Sequence, residues 1–262
     1  MQDAFSRTLM LFGAAAIDSL AAAHVAVFGI GGVGGYVVEV LARSGVGALD
    51  LIDDDCVCLS NLNRQIIALH STIGKHKVDV AEERIHDINP LCKIRKFKTF
   101  YLPEESSQFN FEDYDYVVDC IDTVTAKIDL AHRCYKLGIP IISSMGAANK
   151  IDPTAFRVAD LYQTHIDPLA KIMRKKLRKL GVPNLKVVYS EEEPLTPLTE
   201  EPPTTPEGMK QPENQQSEST VPLPHPRRSI PASNAFVPAT AGLIIGGEVV
   251  KDLIRIIPSR HS

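Results

Sequence analysis

What this sequence lacks narrows it first. It has no CxxC pair, and its five cysteines (Cys56, Cys58, Cys92, Cys120, Cys134) form no even set. A disulfide-built secreted domain and a four-cysteine zinc site are both disfavoured. No N-terminal stretch runs charged, apolar, then small, as a signal peptide does, so the expected compartment is the cytoplasm. There is no internal repeat. The apolar stretch near the C-terminus, Thr240 to Ile257, is interrupted by Glu248, Lys251, Asp252 and Arg255, which argues for a packed helix and against a membrane span. At 262 residues and 44% apolar composition, the chain can bury a full core without staples.

Net charge is also small, −4, which on its face argues against a nucleic-acid partner. The charge is unevenly spread. Residues 191–218 carry eight glutamates and one lysine, or −7, which leaves +3 on the remainder. A polyanionic partner is therefore permitted.

The apolar periodicity alternates between two repeats. Strand patterns at Val25–Phe28, Leu49–Ile52, Tyr116–Val118 and Ile141–Ile142 are separated by helical patterns at 33–43, 75–88 and 125–137. Gly138 and Pro140 close the last of these helices. Strands alternating with helices predict an α/β fold: a Rossmann-like sheet with a parallel core and helices on both faces. Phe156–Val158 and Lys186–Tyr189 add C-terminal strands, and Pro168–Leu180 reads as a very basic helix. Residues 190–234 hold ten prolines and little apolar periodicity, so they read as a weakly ordered insertion. The expected organisation is a domain over 1–189, the insertion over 190–234, and a C-terminal helix over 235–262 packed back on the domain.

The first strand runs into Gly29-Ile30-Gly31-Gly32-Val33-Gly34, a GxGxxG turn opening a helix. Gly29, Gly31, Gly32 and Gly34 let the backbone turn tightly and approach a phosphate, and the helix N-terminus favours its charge. Asp53 ends the next strand, where a carboxylate can hold a ribose hydroxyl. These features alone would suit a dinucleotide dehydrogenase, but nothing marks a nicotinamide half-site. Downstream stand Ser60-Asn61-Leu62-Asn63-Arg64-Gln65, Gly74-Lys75-His76-Lys77 and Asp119-Cys120-Ile121-Asp122. Fixed cations and a metal-holding carboxylate beside phosphates suit adenylation, because charge grows on the α-phosphate as pyrophosphate leaves.

With these motifs the chain resembles the ubiquitin-activating-enzyme-like superfamily, which includes the bacterial ThiF and MoeB adenylyltransferases. The resemblance implies ATP and Mg²⁺ as cofactors and gives roles to matching positions. Asp53 would bind ribose, Arg64 and Lys77 would contact the phosphates with Asn61 beside them, and Asp122 would serve the metal. Arg7 would reach the ATP of a partner subunit, which implies a homodimer. Asp119 lies nearer its strand and ranks below Asp122. Cys120 falls inside a predicted strand and reads as core, as do Tyr36 and Tyr116.

The second half resembles one branch, the tRNA threonylcarbamoyladenosine dehydratases, through Ser143–Thr154 and through Asp167-Pro168-Leu169-Ala170-Lys171 with the basic run after it. That branch implies ATP-dependent cyclisation of threonylcarbamoyl-adenosine in tRNA through an acyl-adenylate. It leaves room for sulfur-transfer partner proteins. Cyclisation supplies its own nucleophile, which suits a chain with no cysteine after Cys134. Where some members carry a cysteine, this chain has Ile230-Pro231-Ala232-Ser233. Lys171, Arg174, Lys175, Lys176, Arg178 and Lys179 are candidate tRNA phosphate contacts, with Arg227 and Arg228 as further candidates. Two rivals remain at this stage. One is an adenylyltransferase for a ubiquitin-like sulfur carrier, and the other is a nucleotide-binding adaptor without catalysis.

Overall fold

The computed structural model describes residues 4–198 and 231–256. Two helices, α1 (Ser6–Phe12) and α2 (Ala14–Ala22), precede β1 (His24–Phe28), α3 (Gly34–Arg43) and β2 (Ala48–Ile52). Then follow α4 (Lys77–Ile88), β3 (Lys93–Phe97), β4 (Tyr116–Asp119), α5 (Val124–Leu137) and β5 (Ile141–Ser144). The second half comprises β6 (Phe156–Asp160), α6 (Pro168–Lys179), β7 (Lys186–Ser190) and α7 (Val237–Ile256). The sheet order is β3-β2-β1-β4-β5-β7-β6, parallel except for the antiparallel β6–β7 pair at one edge. This is the Rossmann-like α/β architecture that the alternating periodicity predicts.

The pleat assigns the two faces. Val25 and Val27 point into the core with α2, α3, α4 and α7, whereas Ala26 and Phe28 point into an aromatic core with α5. A third cluster joins α5 to α6 through Leu161, Met173 and Leu177. The last four residues of β1 and all of β4 are buried, which accounts for their near-continuous apolar sequences. Gly138 ends α5 in the left-handed conformation, φ 69°, as the Gly–Pro signal anticipates.

The C-terminal helix packs across α3. Cβ atoms at Gly242 and Gly246 would stand 2.3 Å from the Val33 carbonyl oxygen and 2.6 Å from the Val40 Cβ, so the close crossing requires glycine at both positions. The charges in this helix are anchored to the sheet: Lys186 Nζ lies 2.6 Å from Glu248 and 2.8 Å from Asp252, and the buried Tyr116 hydroxyl donates to Asp252. Among the described residues no helix is long and apolar enough to cross a membrane.

Among the described α-helices and strands, three had no counterpart in the sequence reading: α1, α2 and β3. Strand β3 reads Lys-Ile-Arg-Lys-Phe and forms an edge, where charge guards against further strand pairing. Of the expected insertion, residues 199–230, and with them Arg227 and Arg228, lie outside the described residues. Its two ends lie against the domain. Glu192 accepts from the backbone amides of Ile151 and Asp152, and residues 231–234 return along the loop after β5.

Candidate active site

Strand order reverses between β1 and β4, and a crevice opens there beyond the carboxyl ends of the strands. Its cavity is about 580 Å³. Gly29, Gly31, Gly32, Asp53, Asn61, Arg64, Lys77 and Asp122 all line it. Gly34 does not. It lies behind the loop, where a Cβ would stand 1.8 Å from the Gly29 carbonyl oxygen, so it closes the turn. Gly29 has φ 89°, and its backbone passes over the Cys120 carbonyl, where a Cβ would stand 2.7 Å from the oxygen.

Asp53 ties the wall together. Its carboxylate accepts from the amides of Ile30 in the glycine loop, 2.7 Å, and of Asp55, 3.0 Å. Burial pushes this carboxyl above its ordinary range, against the opposing pull of Lys77. Lys77 is nearly fully buried at the start of α4 and reaches Asp55 at 2.6 Å and Asp53 at 3.4 Å. Lys75 instead faces solvent with Glu83. The Arg64 guanidinium donates to the Ser60 carbonyl and to Asn63 Oδ1, so its direction is set by its own turn. Asp122 is exposed to the cavity and makes no hydrogen bond or ion pair among the described residues. Asp119 is fully buried, held by Lys127 Nζ at 3.0 Å and by the Ser143 hydroxyl at 2.5 Å. It braces the ends of β4 and β5, while Asp122, three residues on, is presented to the cavity.

Cys120 packs against the core as the sequence reading expects, but it differs in its placement on the strand. Strand β4 ends at Asp119, so Cys120 lies one residue beyond it, on the cavity wall. Burial pushes its thiol far above the ordinary range, which disfavours the thiolate that a nucleophile requires. Tyr116 is core as expected, and Tyr36 is half-buried beside Gly242. Arg7 is exposed on α1 and is not among the cavity residues.

Several cavity residues carried no role in the sequence reading. Gln65 is buried, and its Oε1 has no hydrogen-bond partner, an orphaned acceptor in the wall of a cavity. Thr99, Phe100 and Tyr101, just past β3, form one end. Ser144, which ends β5, and Met145 to Ala148 after it form another wall with Leu169 of α6 and with Pro231 and Ser233. That wall is pinned by asparagines. Asn149, at φ 59°, donates its backbone amide to the Ala232 carbonyl and accepts the Ala232 amide on Oδ1, Asn234 donates to the Lys150 carbonyl, and Asn63 donates to the Ser233 carbonyl. Lys150 itself is buried and donates to the Glu192 carbonyl, and burial pulls its ammonium below the usual range.

Helix α6 starts beside this wall. Asp167 caps it by accepting from the Ala170 amide, with Pro168 in the first turn. The preceding Ile166 has φ 65°, a conformation that costs a β-branched residue about 1–3 kcal/mol. Lys171, Lys175, Lys176 and Lys179 are exposed and form no ion pair among the described residues. Arg174 is instead turned onto Thr164, and Arg178 lies over the Tyr162 ring at 5.3 Å.

A glycine loop at a helix start, a carboxylate at the end of the neighbouring strand, and the charged residues Arg64, Lys77 and Asp122 thus line one cavity on a Rossmann-like sheet. The chain belongs to the ThiF family, whose model matches residues 5–259. It is 45% identical to the tRNA threonylcarbamoyladenosine dehydratase of Bacillus subtilis over 97% of this chain and 95% of that protein. It also matches crystal structures of the Escherichia coli tRNA N6-threonylcarbamoyladenosine dehydratase. The complex with ATP aligns with a TM-score of 0.81 at 33% identity, over 98% of this chain and 96% of that one. The complex with AMP aligns with a TM-score of 0.79, also at 33% identity, over 97% and 95%.

Proposed function

We propose that this chain is an ATP-dependent enzyme that cyclises threonylcarbamoyl-adenosine in tRNA by dehydration. The observation that carries the reading is one continuous cavity. It is lined by the glycine loop, Arg64, Lys77 and Asp122, and also by Leu169 in the first turn of the basic helix α6. Identity to the Bacillus subtilis dehydratase over almost the whole of both chains supports the same substrate.

In this reaction the substrate carboxylate attacks the α-phosphorus of ATP, and the bond to pyrophosphate breaks. Negative charge grows on the phosphates, and Arg64 and Lys77 face it from fixed positions. A nucleophile within the same threonylcarbamoyl group then attacks the acyl carbon, and AMP departs with the bonding electrons. Both reacting groups sit on one molecule, so proximity does the work that a protein cysteine does elsewhere. The raised thiol of Cys120 is consistent with that economy.

Asp122 fits a magnesium ion, which takes one or two carboxylates and otherwise phosphate and water oxygens. Bound there with the nucleotide, the ion would add positive charge at the phosphates. Helix α1 supports self-association: none of its side chains is buried, and Met10 and Leu11 are 87% and 74% exposed. Arg7 on the same helix is then available to a partner subunit's nucleotide. A cytoplasmic location follows from the tRNA substrate.

The test supplies ATP and Mg²⁺ with either modified tRNA or a small carrier protein ending in Gly-Gly. AMP and pyrophosphate formed with the tRNA support the reading. AMP and pyrophosphate formed only with the carrier would assign the chain to sulfur-carrier activation, and ATP binding without turnover would make it an adaptor.

A further inference from the structure

One carboxylate joins the basic helix α6 to the loop after β5 in the cavity wall. Asp167, 1% exposed, accepts from the Ala170 amide through Oδ1 at 2.8 Å and from the Gly146 amide through Oδ2 at 3.2 Å. Gly146 belongs to the loop after β5, whose residues 144–148 line the cavity, and Leu169 of the first turn of α6 lines it too. Gly146 and Asp167 are in direct contact, and a Cβ on Gly146 would stand 3.4 Å from Oδ2, an ordinary van der Waals distance. The turn that delivers Asp167 is tight. Its amide donates back to the His165 carbonyl at 2.6 Å across Ile166, which is held at φ 65°. Strain of this kind persists only where the surroundings fix it, and it collects at sites where position matters.

We propose that Asp167 is a positioning residue that couples seating of tRNA on α6 to the placement of the acyl wall, Ser144 to Ala148, against the reacting carboxylate. The proposal rests on the tRNA reading above. Lys171, Lys175, Lys176 and Lys179 project from the helix that Asp167 caps, so a polyanion drawn onto them loads that helix directly. A shift of the start of α6 would carry Asp167 with it, and Oδ2 of Asp167 accepts from the Gly146 amide. Asp167 is not among the residues that line the cavity, so its effect passes through the loop.

The test is a cycle of four proteins: wild type, Asp167→Asn, the charge reversal Lys175→Glu with Lys176→Glu, and their combination. Each is assayed for dehydrated nucleoside at saturating tRNA, with ATP affinity and tRNA affinity measured separately. Asp167→Asn keeps one acceptor oxygen for the helix cap, so the fold is retained where Asp167→Ala could lose it. The expected result is a fall in kcat of about tenfold or more for Asp167→Asn, on the scale set by misplacing reacting groups. ATP and tRNA affinities stay within about twofold of wild type. On the charge-reversed background the same substitution adds little, because the two changes break one coupling.

A residue that merely supports the fold would give additive losses, or losses of ATP affinity in step with kcat, and either result overturns the proposal. So does an unchanged kcat, or a charge reversal that leaves tRNA affinity intact. A wild-type protein that yields no dehydrated nucleoside fails differently: it removes the substrate reading itself.

Discussion

Lys77 Nζ stands 2.6 Å from the Asp55 carboxylate and 3.4 Å from that of Asp53, so a cation and two carboxylates of the cavity wall share one ion-pair cluster. Lys77 and Asp53 are both largely shielded from water, whereas Asp55 is mostly exposed. The cluster holds Lys77 on the cavity wall, and Lys77 in turn offsets the cost of burying Asp53.

Lys77→Met should therefore cost both activity and stability. The buried Asp53 would lose its opposing charge, and denaturant unfolding should show a loss of about 2 kcal/mol. AMP formation should fall by about a hundredfold or more. A variant with normal stability would show that Asp53 needs no partner.

Arg64→Ala and Asp122→Ala should separate activity from stability. Neither side chain is buried, and Asp122 has no partner among the described residues. Both variants should melt within about 2 °C of wild type, as surface substitutions do, and lose turnover by about a hundredfold or more. A variant of either kind that turns over normally would remove that residue from the site.

Two glycine substitutions should behave differently. A methyl at Gly34 would collide with the Gly29 carbonyl oxygen at 1.8 Å, so Gly34→Ala should disrupt the turn and unfold at markedly lower denaturant. A methyl at Gly31 would meet only Gln65 Nε2, at 3.9 Å, so Gly31→Ala should keep its stability. Because that methyl stands in the cavity, KM for ATP should rise. Equal stability of the two variants would contradict the assigned roles.

Asp50 gives the pH prediction. It is fully buried in β2 and accepts from His24, Arg95 and Tyr114. Burial alone would raise its carboxyl, but these partners hold it below the ordinary 3.8. A depressed folded value means the unfolded chain binds the proton first. The contribution is full above 3.8 and is lost as pH falls through the lower folded value. Asp50→Asn should be less stable than wild type at neutral pH, and the gap should narrow in acid. A gap that is constant with pH would mean that the Asp50 charge carries none of the effect.

How much of this was legible in the sequence depends on the reach of each interaction. The turn from β1 through Gly29 to α3 is local, and glycine spacing with apolar periodicity reports it directly. The motif register singled out Lys77, and the structure places it buried on the cavity wall while Lys75 pairs with Glu83 in solvent. Strand β3 was not legible, because its alternation is of charge rather than of apolar residues, and its inner partner β2 determines that it pairs at all. The wall built from Asn149 and Ala232 joins residues 83 apart, which no local pattern encodes. Asp167 was visible as a residue before a proline, but its second bond, to Gly146, appears only once β5 and α6 are side by side. The orphaned oxygen of Gln65 likewise exists only in the folded wall.

The central claim is tested most directly by weighing the nucleosides of tRNA bearing threonylcarbamoyl-adenosine after incubation with this protein, ATP and Mg²⁺. The account predicts a nucleoside lighter by one water, formed with AMP and pyrophosphate and absent when ATP is withheld. An unchanged nucleoside beside a protein that binds ATP and remains folded would contradict it.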